Sequence, residues 1–493
     1  MSAWNQELAD MLVAGGDSRI TPDPHSGRNK YGCLATPDAG LTELGSSTAS
    51  SISLRGWQAA EAAWLACKAQ LKTTTEAELY QQQMTQLRQR LRHLTGGKAD
   101  DGTDIVFAAS GTDIHLLIAQ LLQPDLTLMI ANEETGSGLS AALQGQHFSK
   151  DSTCVGGTPQ GDCVSNWQGE LRTFDARSSD GEPVACTTLM PQILDAAEQA
   201  ASAGKSVLCI LTDVSKTGLI FPDANGLLNL KERFPDKVWI LVDGCQFRLA
   251  PSTIQAYLAE GCLLALTGSK FLAGPTFSGA LIIPASLSTT LAASTLSVSV
   301  SAYSVAADWP ENYAARQALP QAANFGLLLR WVAALTELEA LSALKHDDIA
   351  RFISTFGHAV RQRLQTDAHF APLPVPALQR SLHPAPCWDQ LQSIFPFLLF
   401  RVDGNGKRQP LTRPQTAAMY QALQAADASE RFQLGQPVLC GTLDDIPVSA
   451  LRLCVSAPML SDALNQPAGQ EKWMHAINAA LDKLAEHIDQ LAE

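Results

Sequence analysis

From about residue 103 the chain repeats one texture: a short apolar run, a turn signal, then a stretch with helical periodicity. The runs are DIVFAAS, LTLMIANE, SVLCILTD, VWILVDG, LLALTGS and ALIIP. Runs that are apolar on both faces and separated by helices predict a mainly parallel sheet covered on both sides. Upstream, the spacing predicts helices over 54–71 and 75–94, the second stopped by Gly96 and Gly97. Its LRQRLRHL stretch spreads three arginines over several helix faces, which predicts a solvated surface. Residues 146–191, rich in Gly, Ser and Asp, read as a surface excursion with one strand. Downstream, Leu328, Trp331, Leu335, Leu338 and Leu341 mark a helix over 324–345. Pro372, Pro374, Pro376, Pro384 and Pro386 then resist regular structure. FPFLLFRV and ALRLCVSA read as strands with a helix over 413–426 between them. A last helix buries Ile477, Leu481, Leu484, Ile488 and Leu491. The expected organisation is an N-terminal segment and helix over the site (1–74), a large α/β domain (75–330), and a linking helix with a small α+β domain (331–493). No internal repeat interrupts it.

Composition narrows the function. The 493 residues are 46% hydrophobic and 17% charged, which describes an ordered, core-forming protein. With 35 Lys+Arg against 49 Asp+Glu, the net charge of −14 leaves no basic surplus for nucleic acid or an anionic membrane surface. No apolar run reaches the ~18 residues of a membrane span. Glu7 and Asp10 stand where a secretory signal would be basic and then apolar, so a cytoplasmic protein is expected. The 11 cysteines are odd in number, with no CxxC and no His pair at ligand spacing, and are expected to be reduced thiols with no metal site.

Ligands of open parallel sheets bind at strand C-terminal ends, so the chemistry is sought there. VFAASGTD leads from a strand through Ser110, Gly111 and Thr112 into a helix, a pattern that lets backbone N–H groups cradle a phosphate. VWILVDGCQF places Asp243 after a buried strand, where a carboxylate requires a cation or donor. LLALTGSKFLAGPTF places Lys270 between a buried strand and a Gly-Pro turn, where desolvation would make its amine nucleophilic. Aspartate, lysine and phosphate cradle together are what pyridoxal phosphate requires.

With those residues in view, VDGCQ followed by TGSKFLAGPTFSGAL resembles the class V aminotransferase and cysteine desulfurase family of fold type I pyridoxal-phosphate enzymes. The resemblance runs from about Thr75 to Ser456. It implies a fold type I transferase-like α/β fold, with Lys270 as the Schiff-base lysine and Asp243 as partner of the pyridine nitrogen. It implies Gln246 as a donor on the ring-hydroxyl side, Ser110, Gly111, Thr112 and Thr267 as phosphate ligands, and Ser215 near the cofactor. Arg452, in ALRLCVSAP, matches the family's substrate-carboxylate arginine. The family's ring-stacking residue is missing from ANEETGSG, where Thr135 or Glu134 stands instead, and Ser269 replaces the usual His before the lysine.

Cys440, on a Gly-flanked stretch ahead of Arg452, occupies the place of a desulfurase nucleophile, although an incidental strand-end cysteine accounts for it as well. The run GSSTASSIS, residues 45–53 and including Ser47, is expected to fold over the site and offer polar groups to substrate. The expected activity is an aminotransferase acting on an amino acid or amine. The alternatives are a C–S lyase or desulfurase, another Cα-carbanion enzyme, and a catalytically silent protein on the same scaffold. The resemblance also implies a homodimer, with 301–324 supplying partner contacts.

Overall fold

The computed structural model describes residues 3–152, 154, 156–380, 382, 386–425 and 430–491. All six apolar runs form strands of one sheet. Its order is Asp104–Ala108, Gly279–Ile283, Leu263–Thr267, Val238–Gly244, Val207–Asp213, Leu126–Ile130 and Glu170–Phe174. Gly279–Ile283 runs antiparallel to both neighbours, and Ile220–Phe221 adds a short antiparallel pairing; the rest are parallel. Both faces are covered, as the unbroken apolar runs require. Ile105 and Phe107 enter one core while Val106 and Ala108 enter another.

Register sets up the site. Ala265 lies opposite Asp243, Thr267 opposite Gly279, and Gly279 opposite Ala108, so three strands end at one level. Glycine is required at 279. A Cβ there would stand 2.7 Å from the Ser110 carbonyl oxygen and 3.0 Å from that of Ala108.

A second, antiparallel sheet of five strands runs Phe370–Pro372, Ile394–Val402, Ile446–Cys454, Gly435–Leu443, with Arg408–Pro410 beside Ile394–Val402. His346–Thr366 and Gly469–Asp489 pack together beside it. Phe325–Ser342 joins the two halves. It packs on Leu54–Gln70 and Glu76–Leu94, and Trp331 Nε1 donates to the Gly279 carbonyl at 3.1 Å. A buried ion pair adds to the seam: Arg380 Nε donates to Asp213 Oδ2 at 2.9 Å, with Tyr257 Oη donating to the same oxygen at 2.8 Å.

The N-terminal segment is shared between the halves. Leu41–Glu43 pairs in parallel with Arg431–Gln433, and Cys454 N–H donates to the Leu44 carbonyl at 2.7 Å.

Several expectations change. Arg88 is not on a solvated face: it is buried and donates to the carbonyls of Ile105 (2.9 Å) and Ala307 (2.6 Å). Only Arg90 and Arg92 take surface or part-buried partners, because alternate positions on a helix do not share one face. The 146–191 excursion holds more structure than one strand. Glu170–Phe174 extends the main sheet, Asp151–Ser152 pairs with Gly156–Gly157, and the helix Cys186–Ser202 starts ahead of Pro191. Leu189, Met190, Ile193, Ala196 and Ala197 are buried at helical spacing and carry that helix through the proline. The helix after Thr412 ends at Ala422; Ala426 and Pro384 lie outside the described residues. No helix among the described residues is long and apolar enough to cross a membrane.

Candidate active site

A cavity of about 260 Å³ opens where the three strands end. Its floor belongs to the large sheet. Lys270 lies in the turn after Leu263–Thr267, half-buried, and its amine makes no hydrogen bond or ion pair among the described residues. Ser50 Oγ donates to the Lys270 carbonyl at 2.8 Å and fixes the backbone instead. From the adjacent strand, Asp243 accepts Cys245 N–H at Oδ1 (3.1 Å). Its Oδ2 faces Nε2 of the fully buried His115 at 3.8 Å. His115 Nδ1 is 2.6 Å from the Gly111 carbonyl, which can only accept, so Nδ1 carries a proton. Nε2 has no hydrogen-bond partner.

The cradle forms as its sequence requires. Ser110 caps the helix Gly111–Leu122 by accepting Asp113 N–H, leaving the positive end of that helix on the cavity. Gly111 keeps it open: a Cβ would meet Cys245 Sγ at 3.0 Å and Thr267 Cγ2 at 3.3 Å. Thr267 Oγ1 donates to the Cys245 carbonyl at 2.6 Å. Asp113 closes the first turn, and burial, followed by the charge of Asp17, pushes it up to about 6.

The opposite wall comes from the two ends of the chain. Arg19 reaches the cradle hydroxyls, with Nη1 donating to Thr112 Oγ1 (3.3 Å) and Nη2 to Ser110 Oγ (3.4 Å). Asp17 holds it through Nε (2.8 Å) and Nη2 (2.6 Å), and its guanidinium lies 4.7 Å from the Phe277 ring centre. Tyr31 lines the same wall, and neither it nor Arg19 carried a signal in the sequence, since no strand or helix pattern surrounds them. Arg452 sits behind this wall, fully buried. It donates through Nε to Ser47 Oγ (2.9 Å), through Nη2 to Thr48 Oγ1 (2.6 Å), and through Nη1 to the Gln436 carbonyl. Gly435, opposite Arg452 in register, makes room for the guanidinium: a Cβ would stand 2.8 Å from Nε. Ser47, Thr48 and Gln436 line the cavity directly.

Most of the sequence-derived residues converge on this cavity: Lys270, Asp243, Ser110, Gly111, Thr112, Thr267, Gln246, Thr135 and Ser47 all line it. Gln246 differs in detail from the expected donor. Its amide nitrogen donates to the Ser47 carbonyl at 2.7 Å, and its amide oxygen is buried without a partner. Ser215 is turned away, donating to Glu134 Oε2 at 2.6 Å in a network that also holds Thr217 and Arg177. Its neighbour Lys216 takes the place in the wall, donating to the carbonyls of Asn132 (3.1 Å) and Glu133 (3.3 Å). Burial, then the charges of Arg452 and Lys270, pull Lys216 down to about 8. Its position at a strand's C-terminal end was the available signal. Cys440 lies in a strand, not a loop, and lines a different cavity. Its thiol is buried and donates to the Val448 carbonyl at 3.6 Å, and burial pushes it up to about 11. Among the described residues no cluster of His, Cys, Asp and Glu can hold a metal.

No family model matches the sequence, and no curated protein is similar to it at a significant level. Solved structures are similar in fold. A cystine C–S lyase in complex with its product cysteine persulfide is 17% identical with a TM-score of 0.55, covering 89% of this chain and 97% of its own. A NifS-like protein from Rickettsia africae is 9% identical with a TM-score of 0.51, covering 90% and 99%. Serine palmitoyltransferase from Sphingomonas wittichii is 12% identical with a TM-score of 0.50, covering 90% and 88%. The chain has the fold of the fold type I pyridoxal-phosphate-dependent transferases, as the large sheet with its smaller companion also indicates.

Proposed function

We propose that this chain binds pyridoxal 5'-phosphate and acts on an amino acid or amine as an aminotransferase. The observation that carries the reading is the meeting, in one cavity, of an unpaired lysine amine, a buried carboxylate on the neighbouring strand and an open helix N-terminus. The residues fit the cofactor. Asp243 has no cation beyond the distant His115 ring, Gln246 Oε1 and Thr212 Oγ1 are buried in the wall without partners, and Gly111 keeps a space that any side chain would fill. When bound, the cofactor supplies an electron sink for charge developing beside the substrate nitrogen.

The chain's own residues do the rest. Lys270 would hold the cofactor covalently, and its amine, when free, would move the proton at the substrate Cα. Asp243 keeps the ring nitrogen protonated. Ser110, Gly111, Thr112 and Thr267 hold the phosphate, with Arg19 added to the set because it already donates to two of these hydroxyls. Gln246 and Thr135, both in the lining, would contact the cofactor, and Ser215 would act through Glu134, which itself lines the cavity. Arg452 and Ser47 receive the substrate carboxylate.

Elimination is the second reading, supported by the fold shared with a cystine C–S lyase. The buried, raised thiol of Cys440 counts against a persulfide-carrying desulfurase. A homodimer and a cytoplasmic setting complete the proposal; the 72% exposed Val298, just ahead of 301–324, supports a covered surface there.

The test is spectroscopic. Purified protein should show the visible band of a lysine-bound cofactor, and Lys270→Ala should abolish it. Protein that stays colourless after incubation with the cofactor would overturn the reading. Single amino acids then separate the outcomes: conversion to the amine form of the cofactor marks transamination, and release of ammonia with pyruvate or sulfide marks elimination.

A further inference from the structure

The charge balance of the cavity identifies its substrate class. We infer, resting on the cofactor reading above, that the site takes an amino acid with a second anionic group on its side chain, and that Lys216 and Arg452 are the two counter-charges.

Two other cations at the cavity have carboxylate partners. Arg19, in the wall, pairs with Asp17, and Arg177 pairs with Glu134, itself a lining residue. Lys216 and Arg452 have none among the described residues. Lys216 meets two backbone carbonyls, which leaves one of its three ammonium donors without a partner. Arg452 meets two hydroxyls and a carbonyl. Glu134, the carboxylate whose charge both feel, is committed to Arg177, Ser215 and Thr217. Asp243 stands at the cofactor end, and Lys30, exposed in the same wall, adds positive charge.

A desolvated charge without a counter-ion is costly, and a cavity with Lys216 in its wall and Arg452 directly behind Ser47, Thr48 and Gln436 is complementary to two anions. The α-carboxylate of any amino acid supplies one, and the other requires a charged side chain. Among the described residues, three further buried arginines without carboxylate partners lie away from the cavity, Arg88 on the carbonyls of Ile105 and Ala307 among them. Arg330 is clamped by the carbonyls of Phe277, Leu12, Ala14 and Gly15, and Arg248 by Ser46, Ser393 and Val455. None of the three lines the cavity, whereas Lys216 lies in its wall, as do Ser47, Thr48 and Gln436, the three partners of Arg452.

The test uses non-reactive probes on the cofactor-loaded protein. Succinate and succinamate share a length and differ by one negative charge. Calorimetric titration should show succinate binding about thirtyfold more tightly, as expected for a desolvated charge pair. Lys216→Gln should erase the difference while leaving succinamate binding unchanged, and Lys216→Arg should retain it. Equal affinity of the two probes for the unaltered protein would overturn the inference, as would a Lys216→Gln variant weakened equally toward both. A protein that never takes up the cofactor, read separately from the visible band, would instead overturn the functional reading on which this one rests.

Discussion

The two walls of the cavity are built in opposite ways. The sheet wall is local: Asp243 and Lys270 leave adjacent strands held in register, and the cradle follows the next strand but one. The other wall is a composite of Arg19, Tyr31, Ser47 and Thr48 with Gln436, distant in sequence and backed by Arg452. Rigid, ladder-bonded backbone suits a group that is always the same. A wall of side chains on loops and a small sheet suits the part of the site that must recognise a particular substrate.

This contrast predicts that lesions in the two walls separate into loss of cofactor and loss of ligand. The largest effect belongs to the sheet wall. Gly111→Val puts a branched side chain against Cys245 and Thr267, and should yield folded but colourless protein, checked by absorbance and by thermal melting. Next, Arg452→Ala should keep the visible band yet weaken amino-acid titration of that band about a hundredfold, because it removes one side of a buried charge pair. Loss of the band in that variant would break the division. Arg19→Ala crosses the divide, since a residue of the composite wall reaches the cradle. The cofactor dissociation constant should rise about tenfold, measured by equilibrium dialysis, from the loss of charge-assisted bonds to phosphate.

The smallest effect is in pH. Lys216, facing Arg452, Lys270, Glu134 and Glu133, sheds its proton as pH rises through about 8. Succinate affinity should therefore be level below that point and fall above it, by at most about tenfold per pH unit, while succinamate stays level. Lys216→Arg should remove the slope, because a guanidinium keeps its charge.

How much of this was legible in the sequence follows the same division. Runs apolar on both faces admit few structures other than a covered sheet, so its strands could be read directly. Asp243, Lys270 and the cradle are each read from one short segment. His115 was hidden in the run IHLLIA, whose other positions are apolar, and Arg19 and Tyr31 lie where no periodicity exists to interpret. Arg88 shows the converse failure: a charge that looked solvated is buried because two carbonyls receive it. Ser215 and Lys216 are neighbours in one turn, and only the geometry decides which of them faces the cavity.

The short parallel pairing of Leu41–Glu43 with Arg431–Gln433 has a consequence for synthesis. The segment bearing Arg19 and Ser47 leaves the ribosome about 400 residues before its strand partner and Arg452. The sheet wall can assemble while the chain is still growing, whereas the recognition wall must wait for Arg431–Gln433 and the strands that follow it. A truncated product therefore exposes a nascent cofactor pocket with no means of selecting a substrate.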